Sequence, residues 1–280
     1  MNPIVRVVLQ LAAALAGFAA LAQDKPVDAG PYVPSPDGAV AAMLRAAEVG
    51  PEDYLIDLGS GDGRIVRTAA LVFGARGMGV EIQEPLVELS NRLAREEGTA
   101  DRVRFVNQDL FKTDISAATV VTMYLLPHTV NQLHDKLLAE LRPGARVVSH
   151  DYGLAGWRPH KKLEMDLEEK VGISGVTRTV IYVYVIPAQV AGTWRATVPA
   201  AFGGGSMQLE LTQQFSSAAG RARLDGRAVP LADVRLLGSD LSFRLPGLDA
   251  IFRGKVSGGT IEGTIESGGA RAPWRATLGS

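Results

Sequence analysis

Residues Tyr54 to Arg64 read YLIDLGSGDGR, a short apolar run that ends in an aspartate and continues into a glycine-rich turn. The run predicts a buried strand, and the turn predicts the entry to a helix. Glycines in such a turn tolerate positive φ angles and let backbone N–H groups approach a ligand closely. The spacing is G-x-G-x-G, so Arg64 occupies the position where the dinucleotide fingerprint has Gly or Ala. The pattern indicates a strand–loop–helix junction that binds a ligand. The alternative is an ordinary strand–turn–helix junction of another α/β protein.

Strand and helix patterns alternate after this turn. Helices are predicted at residues 65–73, 84–97 and 130–141, and strands at 54–57, 77–82, 102–106, 118–126 and 176–186. Residues 118–126 form a near-continuous apolar run, which suits a strand that is buried on both faces. The alternation predicts an α/β fold with a mostly parallel sheet, right-handed crossovers and helices on both faces.

Polar side chains fall at the carboxyl ends of the predicted strands, where ligands bind in such sheets. They are Asp57, Glu81, Asp109 and Tyr124. Glu81 closes the second strand, 24 residues after Asp57. A carboxylate in that place can accept hydrogen bonds from both hydroxyls of a ribose. A solvated strand end is the alternative for Glu81, and the glycine loop in register favours ribose binding.

Together with Asp57, the glycine loop resembles motif I of the class I S-adenosylmethionine (SAM) methyltransferases. The resemblance implies a Rossmann-like sheet and SAM as the cofactor. It also implies that the acidic residue after the third strand, here Asp109, binds the adenine amino group, and that residues 141–149 turn into a fifth strand. The cofactor contacts that follow from it are Asp57, Gly59, Ser60, Gly61, Gly63, Glu81, Ile82, Asp109 and Leu110.

Two further segments narrow the resemblance. PYVPSP at residues 31–36 and DLFK at residues 109–112 are similar to segments of a protein-lysine methyltransferase family. Its animal members modify the ATP synthase c-subunit and the adenine nucleotide translocase. The resemblance covers residues 31–160 and implies an amine acceptor, a protein lysine. A stiff polyproline linker is the alternative for PYVPSP. A small-molecule acceptor also stays open, although the acidic-aromatic-proline signature of many amide and adenine methyltransferases is replaced by MYLLP at residues 123–127.

Methylation of a lysine requires a neutral side-chain amine, because an ammonium has no lone pair. Desolvation lowers the pKa of the amine, and aromatic faces stabilise the alkyl cation. Tyr124, at the end of the fourth strand, is the candidate acceptor-side residue, and Tyr32 is expected to cover the cofactor. His150 and Asp151 are secondary candidates, with a plain strand-end histidine as the alternative for His150. With four scattered histidines and no cysteine, no metal site is expected.

The first 22 residues resemble a secretory signal. Arg6 precedes an apolar run from Val7 to Ala22, which ends in the A-x-A pattern of residues 20–22. Sixteen residues are short of the about 20 that span a bilayer. We therefore expect an exported, periplasmic or membrane-anchored enzyme, with a cytosol-facing uncleaved anchor as the alternative. An exported enzyme would need a supply of SAM, which is made in the cytosol.

After a linker at residues 23–36 and a methyltransferase domain at residues 37–188, the pattern changes. Residues 190–280 show short alternating segments between glycine turns, which predict an all-β antiparallel barrel or sandwich. WRAT occurs at residues 194–197 and again at 274–277, so we expect the first and last strands to pair and to close a barrel without exposed edges. Chance is the alternative for the repeat. The domain resembles small lipocalin-like barrels, and it either binds an envelope ligand or only stabilises the enzyme.

The overall charge bears on one class of partner, and no nucleic-acid partner is expected. The formal net charge is −1, which gives no sign of recruitment to nucleic acid. The charged run KKLEMDLEEK at residues 161–170 is expected to be a solvated helix face or loop beside the active-site mouth. An envelope protein that holds a ligand without turnover is the second functional hypothesis.

Overall fold

The computed structural model of the protein describes residues 31–224 and 226–279. The predicted leader at residues 1–22 lies outside the described residues, as do residues 23–30 of the predicted linker. Two β-sheets organise the described part of the chain, one with seven strands and one with nine. Within the described residues, no helix combines the length and the apolar character needed to cross a bilayer.

The first sheet has the strand order β3-β2-β1-β4-β5-β7-β6. Its strands are β1 Tyr54–Leu58, β2 Arg76–Glu81, β3 Val103–Asn107, β4 Val120–Met123, β5 Arg146–His150, β6 Lys161–Asp166 and β7 Arg178–Val185. Strands β1 to β5 run parallel, β7 is antiparallel to β5, and β6 is antiparallel to β7. The helices are α1 Asp37–Ala46, α2 Arg64–Phe73, α3 Glu84–Glu96, α4 Pro127–Gln132, α5 His134–Glu140 and α6 Val171–Ser174, with 3₁₀ turns at Glu168–Lys170, Ala200–Phe202 and Pro246–Leu248.

Helices cover both faces of this sheet, which confirms the predicted fold class. Helices α1, α2 and α3 share a buried cluster with Leu55, and α4 and α5 share another with Ile56. These neighbours on β1 point to opposite faces because side chains alternate along a strand. The strand ends that follow β1, β2 and β4 therefore lie between two packed layers.

Two predicted elements differ from the observed ones. The strand predicted at 118–126 ends at Met123, and Leu125 is buried because it packs over the glycine loop, next to Gly59. Pro127 holds the residue before it in an extended conformation and starts α4. The single helix predicted at 130–141 is divided at Leu133, whose N–H bonds to the carbonyl three residues back and tightens the turn.

The charged segment at 161–170 is neither a helix face nor a loop, so that prediction is wrong. Residues 161–166 form β6, an edge strand in which charged residues alternate with the half-buried Leu163 and Met165. Charges on an edge strand discourage pairing with other chains. Lys170, at the end of the following 3₁₀ turn, is only 2% exposed.

The second sheet is an antiparallel, nearly closed barrel with the order β11-β10-β9-β8-β16-β15-β14-β13-β12. Its strands are β8 Gly192–Thr197, β9 Ser206–Gln214, β10 Ser217–Leu224, β11 Arg227–Pro230, β12 Ala232–Leu237, β13 Asp240–Leu245, β14 Ala250–Ser257, β15 Thr260–Ser267 and β16 Ala270–Leu278. The predicted pairing of first and last strands is confirmed, with Ala196 opposite Ala276. The prediction that closure leaves no edges is wrong, because β11 and β12 are the edges of the sheet. A proline in β11 and a bulge in β12 protect them.

Side chains fill the interior of the barrel. The Phe243 and Phe252 rings stack 4.9 Å apart, and Trp274 meets Phe252 edge-on at 5.1 Å. Trp194 is fully buried and donates its indole N–H to the carbonyl of Val190. Small barrels are commonly filled in this way. The packed interior gives no support to the hypothesis that the barrel binds an envelope ligand.

Candidate active site

The glycine loop between β1 and α2 has a backbone that only glycine adopts easily. The φ angles of Gly59, Gly61 and Gly63 are 76°, 54° and 78°. Space is limiting as well: a Cβ on Gly61 would lie 2.4 Å from the Tyr32 ring, and a Cβ on Gly63 would lie 2.5 Å from the Phe105 ring. The loop is thus shaped both by conformation and by close packing.

A cavity of about 300 Å³ opens beside this loop, at the carboxyl ends of β1, β2 and β4. Ten of the eleven predicted site residues line it: Tyr32, Asp57, Gly59, Ser60, Gly61, Glu81, Ile82, Asp109, Leu110 and Tyr124. Gly63 does not line it and lies behind the loop, against Phe105 and Ser90. The structure therefore brings the predicted residues together, while their individual roles remain predictions.

Glu81 organises the floor of the cavity and is 7% exposed. Its Oε2 accepts the N–H of Gly61 at 2.9 Å, and its Oε1 accepts the N–H groups of Ile82 and Gln83 at 2.9 Å. A carboxylate offers about four lone-pair sites, and three backbone N–H groups occupy three of them, so about one site, on Oε2, is left for a ligand hydroxyl. The same side chain therefore holds the glycine loop in shape and lines the cavity.

Asp57 is a buried carboxyl, and no cationic side chain among residues 31–224 and 226–279 pairs with it. Thr122 donates its hydroxyl to Oδ1 at 2.6 Å. Burial raises the pKa of Asp57 to about 7; the Thr122 hydrogen bond opposes that change, and the charges of Glu81 and Asp62 add to it. The neighbouring Ser60 hydroxyl is buried without a partner. A cationic, hydrogen-bonding ligand such as an amino-acid ammonium would satisfy both groups.

Asp109 lies at the other end of the cavity, after β3. Its Oδ1 accepts the N–H of Phe111 at 2.8 Å, which fixes the carboxylate. Two apolar side chains, Ile82 and Leu110, line the cavity near it. Apolar surface beside a fixed acceptor suits a flat base that carries an amino group.

Tyr124 follows the end of β4 and lines the cavity. Its ring lies 4.1 Å from the His150 ring, and its hydroxyl lies 3.4 Å from Oδ2 of Asp151. Burial raises the pKa of Tyr124 to about 12, with Asp151 and Tyr152 contributing, so the phenol is neutral. Burial also lowers the pKa of His150 to about 4, which makes it a neutral imidazole under Tyr124. His150 does not line the cavity.

Several cavity residues were not predicted. Tyr152 and Ile173 line the mouth, and Lys170 lies behind it in an ion pair with Asp151. Tyr152 could have been suspected, because it follows the end of β5. Nothing in the charged run at residues 161–170 sets Lys170 apart from its neighbours.

Three comparisons with known proteins agree with this site. The profile of the ANTKMT methyltransferase domain matches residues 57–161. A protein-lysine N-methyltransferase of Saccharolobus islandicus (strain REY15A) is 40% identical over 157 residues, which is 56% of this chain and 93% of that protein. The adenine nucleotide translocase lysine N-methyltransferase of Mus musculus is 38% identical over 120 residues, and the chain spans 51% of its length.

A solved structure is similar as well. It is an RNA methyltransferase from Salinibacter ruber in complex with S-adenosyl-L-homocysteine, with 45% identity, a TM-score of 0.51, and coverage of 56% of this chain and 96% of that chain. The fold and the acidic cavity beside the glycine loop define a class I SAM-dependent methyltransferase. The chain belongs to the methyltransferase family described by the ANTKMT domain, and it is an enzyme that uses SAM.

Proposed function

We propose that the enzyme transfers the methyl group of SAM to the side-chain amine of a protein lysine. The observation that carries the proposal is the charge of the cavity. Four carboxyl residues line it, Asp57, Asp62, Glu81 and Asp109, against the single cation Arg64. Arg64 is itself paired with Asp62 at 2.7 Å. Asp57, Glu81 and Asp109 are assigned to the cofactor in this proposal. Among the lining residues that the structure describes, the single cation is thus already paired, so the cavity favours a cationic or neutral acceptor over an anionic one.

The mouth of the cavity supports the same acceptor. Tyr32, Tyr124 and Tyr152 line it together with the apolar Val33, Leu126 and Ile173. Tyrosine faces attract alkyl ammonium groups. Apolar surroundings lower the pKa of an amine, so they favour the neutral form that reacts. The names of the archaeal and animal relatives, which are lysine N-methyltransferases, point to the same chemistry.

The residues are assigned as follows in this proposal. Asp57 and Ser60 hold the amino-acid end of the cofactor, Glu81 holds the ribose, and Asp109 holds the adenine. Tyr32 packs over Gly61 and covers the cofactor. Tyr124 orients the acceptor amine.

The chain contributes placement rather than covalent chemistry. When bound, SAM supplies a methyl group that its sulfonium already activates. The tyrosines bring the amine into line with the methyl group, and the apolar mouth excludes water. Placement of this kind lowers the activation barrier by roughly several kcal/mol. The amine nitrogen forms the new bond to carbon, the electrons of the broken bond remain on sulfur, and the amine proton leaves to solvent.

RNA is the second candidate acceptor, because the relative from Salinibacter ruber is described as an RNA methyltransferase. An RNA backbone needs lysine and arginine side chains along its path. Of the residues that line the described cavity, only Arg64 carries positive charge, and Asp62 neutralises it. The electrostatics therefore favour lysine.

Transfer of radioactive methyl from SAM into a cell extract tests the proposal. The extract is divided into untreated, protease-treated and ribonuclease-treated portions, and hydrolysed product is searched for methyl-lysine. We expect label in protein, loss of label after protease, and no transfer by the Asp57→Ala variant. Label that survives protease and disappears with ribonuclease would establish RNA as the acceptor. Label in the small-molecule fraction would refute a protein acceptor, and SAM binding without any transfer would support a binding protein.

We also propose that the enzyme is exported or anchored at a membrane, on the sequence pattern of residues 1–22 alone. The mature N-terminus of the native protein tests this. A first residue of Gln23 is expected for a cleaved signal. An intact N-terminus together with a reporter at residue 188 that is active only in the cytosol would overturn export.

A further inference from the structure

We propose that Lys170 and Asp151 form a positioning pair that makes Tyr124 the hydrogen-bond acceptor for the incoming amine. The inference rests on the proposed lysine acceptor and extends it to residues behind the cavity. The pair acts through Tyr124, since neither Lys170 nor Asp151 lines the cavity.

Lys170 is a buried cation in an otherwise solvated charged segment. Its side chain is 3% exposed, and its Nζ lies 2.6 Å from Oδ2 of Asp151. Nζ also donates to the carbonyl of Arg178. A buried ion pair is weak support for stability, because desolvation of both charges offsets their attraction. Stability alone therefore does not account for the burial of this ion pair.

Asp151 is held rigidly in place. Its φ angle is 61°, in the left-handed region that non-glycine residues rarely adopt. Its N–H donates to the carbonyl of Val180 at 2.7 Å, and the N–H of Val180 donates to its Oδ1 at 3.1 Å. Aspartate adopts this region more readily than most non-glycine residues, and the two hydrogen bonds with Val180 hold it there. The free face of the carboxylate is thus directed at Lys170 and Tyr124.

The direction of one hydrogen bond follows from this arrangement. A carboxylate accepts and does not donate, so the Tyr124 hydroxyl, 3.4 Å from Oδ2, must donate to Asp151. The lone pairs of the phenol oxygen are then left for the cavity. An acceptor amine can donate an N–H to that oxygen, and its own lone pair is then free to point at the methyl group.

The other groups around Tyr124 do not compete for its proton. The His150 ring lies against it at a tilt of 33°, and Nδ1 of His150 lies 3.1 Å from the Ser35 hydroxyl. Nε2 of His150 is buried without a hydrogen-bond partner and lies 3.6 Å from Oδ1 of Asp151. Tyr152 is the remaining titratable group near the phenol. Asp151 is therefore the acceptor that the geometry provides.

A double-mutant cycle between Tyr124→Phe and Asp151→Asn tests the pair. Each single variant is expected to lower kcat and kcat/KM for a lysine acceptor by about tenfold, the effect of one hydrogen bond. Asp151→Asn in the Tyr124→Phe background is expected to change kcat by less than about twofold, because the hydroxyl through which Asp151 acts is already absent. Cofactor affinity stays unchanged. Multiplied effects in the double variant would overturn the inference.

Matched variants separate positioning from folding. Tyr182→Phe removes a hydroxyl outside the cavity, and its effect is expected to multiply with that of Asp151→Asn. If Asp151→Asn does not fold, Asp151→Asn combined with Lys170→Met removes both buried charges, which proteins often tolerate. Adding Tyr124→Phe to that double variant is expected to change kcat by less than about twofold, as in the cycle with Asp151→Asn alone.

A readout without any acceptor keeps the two proposals apart. In enzyme labelled with ¹³C at the tyrosine Cζ atoms, the Tyr124 resonance is the one missing from Tyr124→Phe. We expect it to shift in Asp151→Asn and to stay in place in the exposed control Asp101→Asn. If no lysine is methylated but the resonance shifts, the proposed function fails and the hydrogen bond stands. If the resonance stays in place, the positioning pair is refuted whatever the acceptor.

Discussion

The substitution Glu81→Gln separates two roles of one side chain, because the amide keeps the size of the carboxylate and loses one acceptor. In the structure, Oε2 of Glu81 holds the N–H of Gly61, and Oε1 holds the N–H groups of Ile82 and Gln83. An amide has a single acceptor oxygen. One side of this arrangement must therefore lose its partner.

The expected magnitudes follow from those contacts. An orphaned buried donor costs about 1–3 kcal/mol, so the unliganded enzyme should unfold roughly 2–12 °C lower, at about 2–4 °C per kcal/mol for a protein of this size. A hydrogen bond to a charged acceptor contributes about 1.5–3 kcal/mol. If the amide no longer accepts the ribose hydroxyl that the free site of Oε2 accepts, the affinity for the cofactor falls by about 10- to 150-fold.

Calorimetric titration with S-adenosylhomocysteine and thermal unfolding of the same samples measure both effects. Glu84→Gln is the matched control, since Glu84 is exposed in the first turn of α3 and its substitution should leave affinity within about twofold. Unchanged affinity in Glu81→Gln would refute the ribose contact. Weaker binding with an unchanged unfolding temperature would refute the structural role of Glu81 in the loop.

Three further predictions concern the cavity and the barrel. Burial is the main reason that the pKa of Asp57 rises from 3.8 to about 7, so the unliganded enzyme should lose stability as pH rises through that interval. A cationic ligand favours the ionised carboxyl, so its affinity should fall about tenfold for each pH unit below 7. Equal affinity at pH 6 and pH 8 in calorimetry would contradict this. Gly61→Ala should displace Tyr32 and lower the unfolding temperature more than Gly98→Ala does, since Gly98 has a φ angle of 70° but no atom within 4 Å of an added Cβ; equal losses in thermal unfolding would show that the Tyr32 contact is unimportant. Phe215→Ala should destabilise the protein by about 1–3 kcal/mol in urea unfolding and change Trp157 fluorescence, because the two rings stack 5.3 Å apart; an unchanged unfolding midpoint would contradict a stabilising stack.

The cofactor side could be predicted from the sequence because its signals are local. The positive φ angles at Gly59, Gly61 and Gly63 favour glycine, so a short stretch of sequence is enough to recognise the loop. The carboxylates of Glu81 and Asp109 follow strands whose apolar composition is equally visible. Parallel pairing then brings these strand ends together without further information.

The acceptor side could not be predicted in the same way, because its order comes from contacts distant in sequence. The apolar run through Leu125 predicts a strand, but β4 ends at Met123, and Leu125 packs against Gly59 and the surrounding core from a position after the strand. Lys170 looks like any charge in its segment, and only the carboxylate of Asp151 and the carbonyl of Arg178 explain its burial. The WRAT repeat located the pairing of β8 with β16, but it contains no signal for which strands form the edges.

The barrel contacts the enzyme on this less predictable side. Phe215, at the tip of the β9–β10 hairpin, has a φ angle of 52°, and its ring stacks on Trp157. The indole of Trp157 donates to the Ser216 hydroxyl at 3.2 Å. Trp157 lies six residues after Asp151 in the loop that also carries Tyr152, so the barrel supports the segment that shapes the acceptor mouth. Because the proposed cofactor contacts come from β1 to β3, loss of the hairpin contact should disturb the proposed acceptor side first and leave the cofactor side intact.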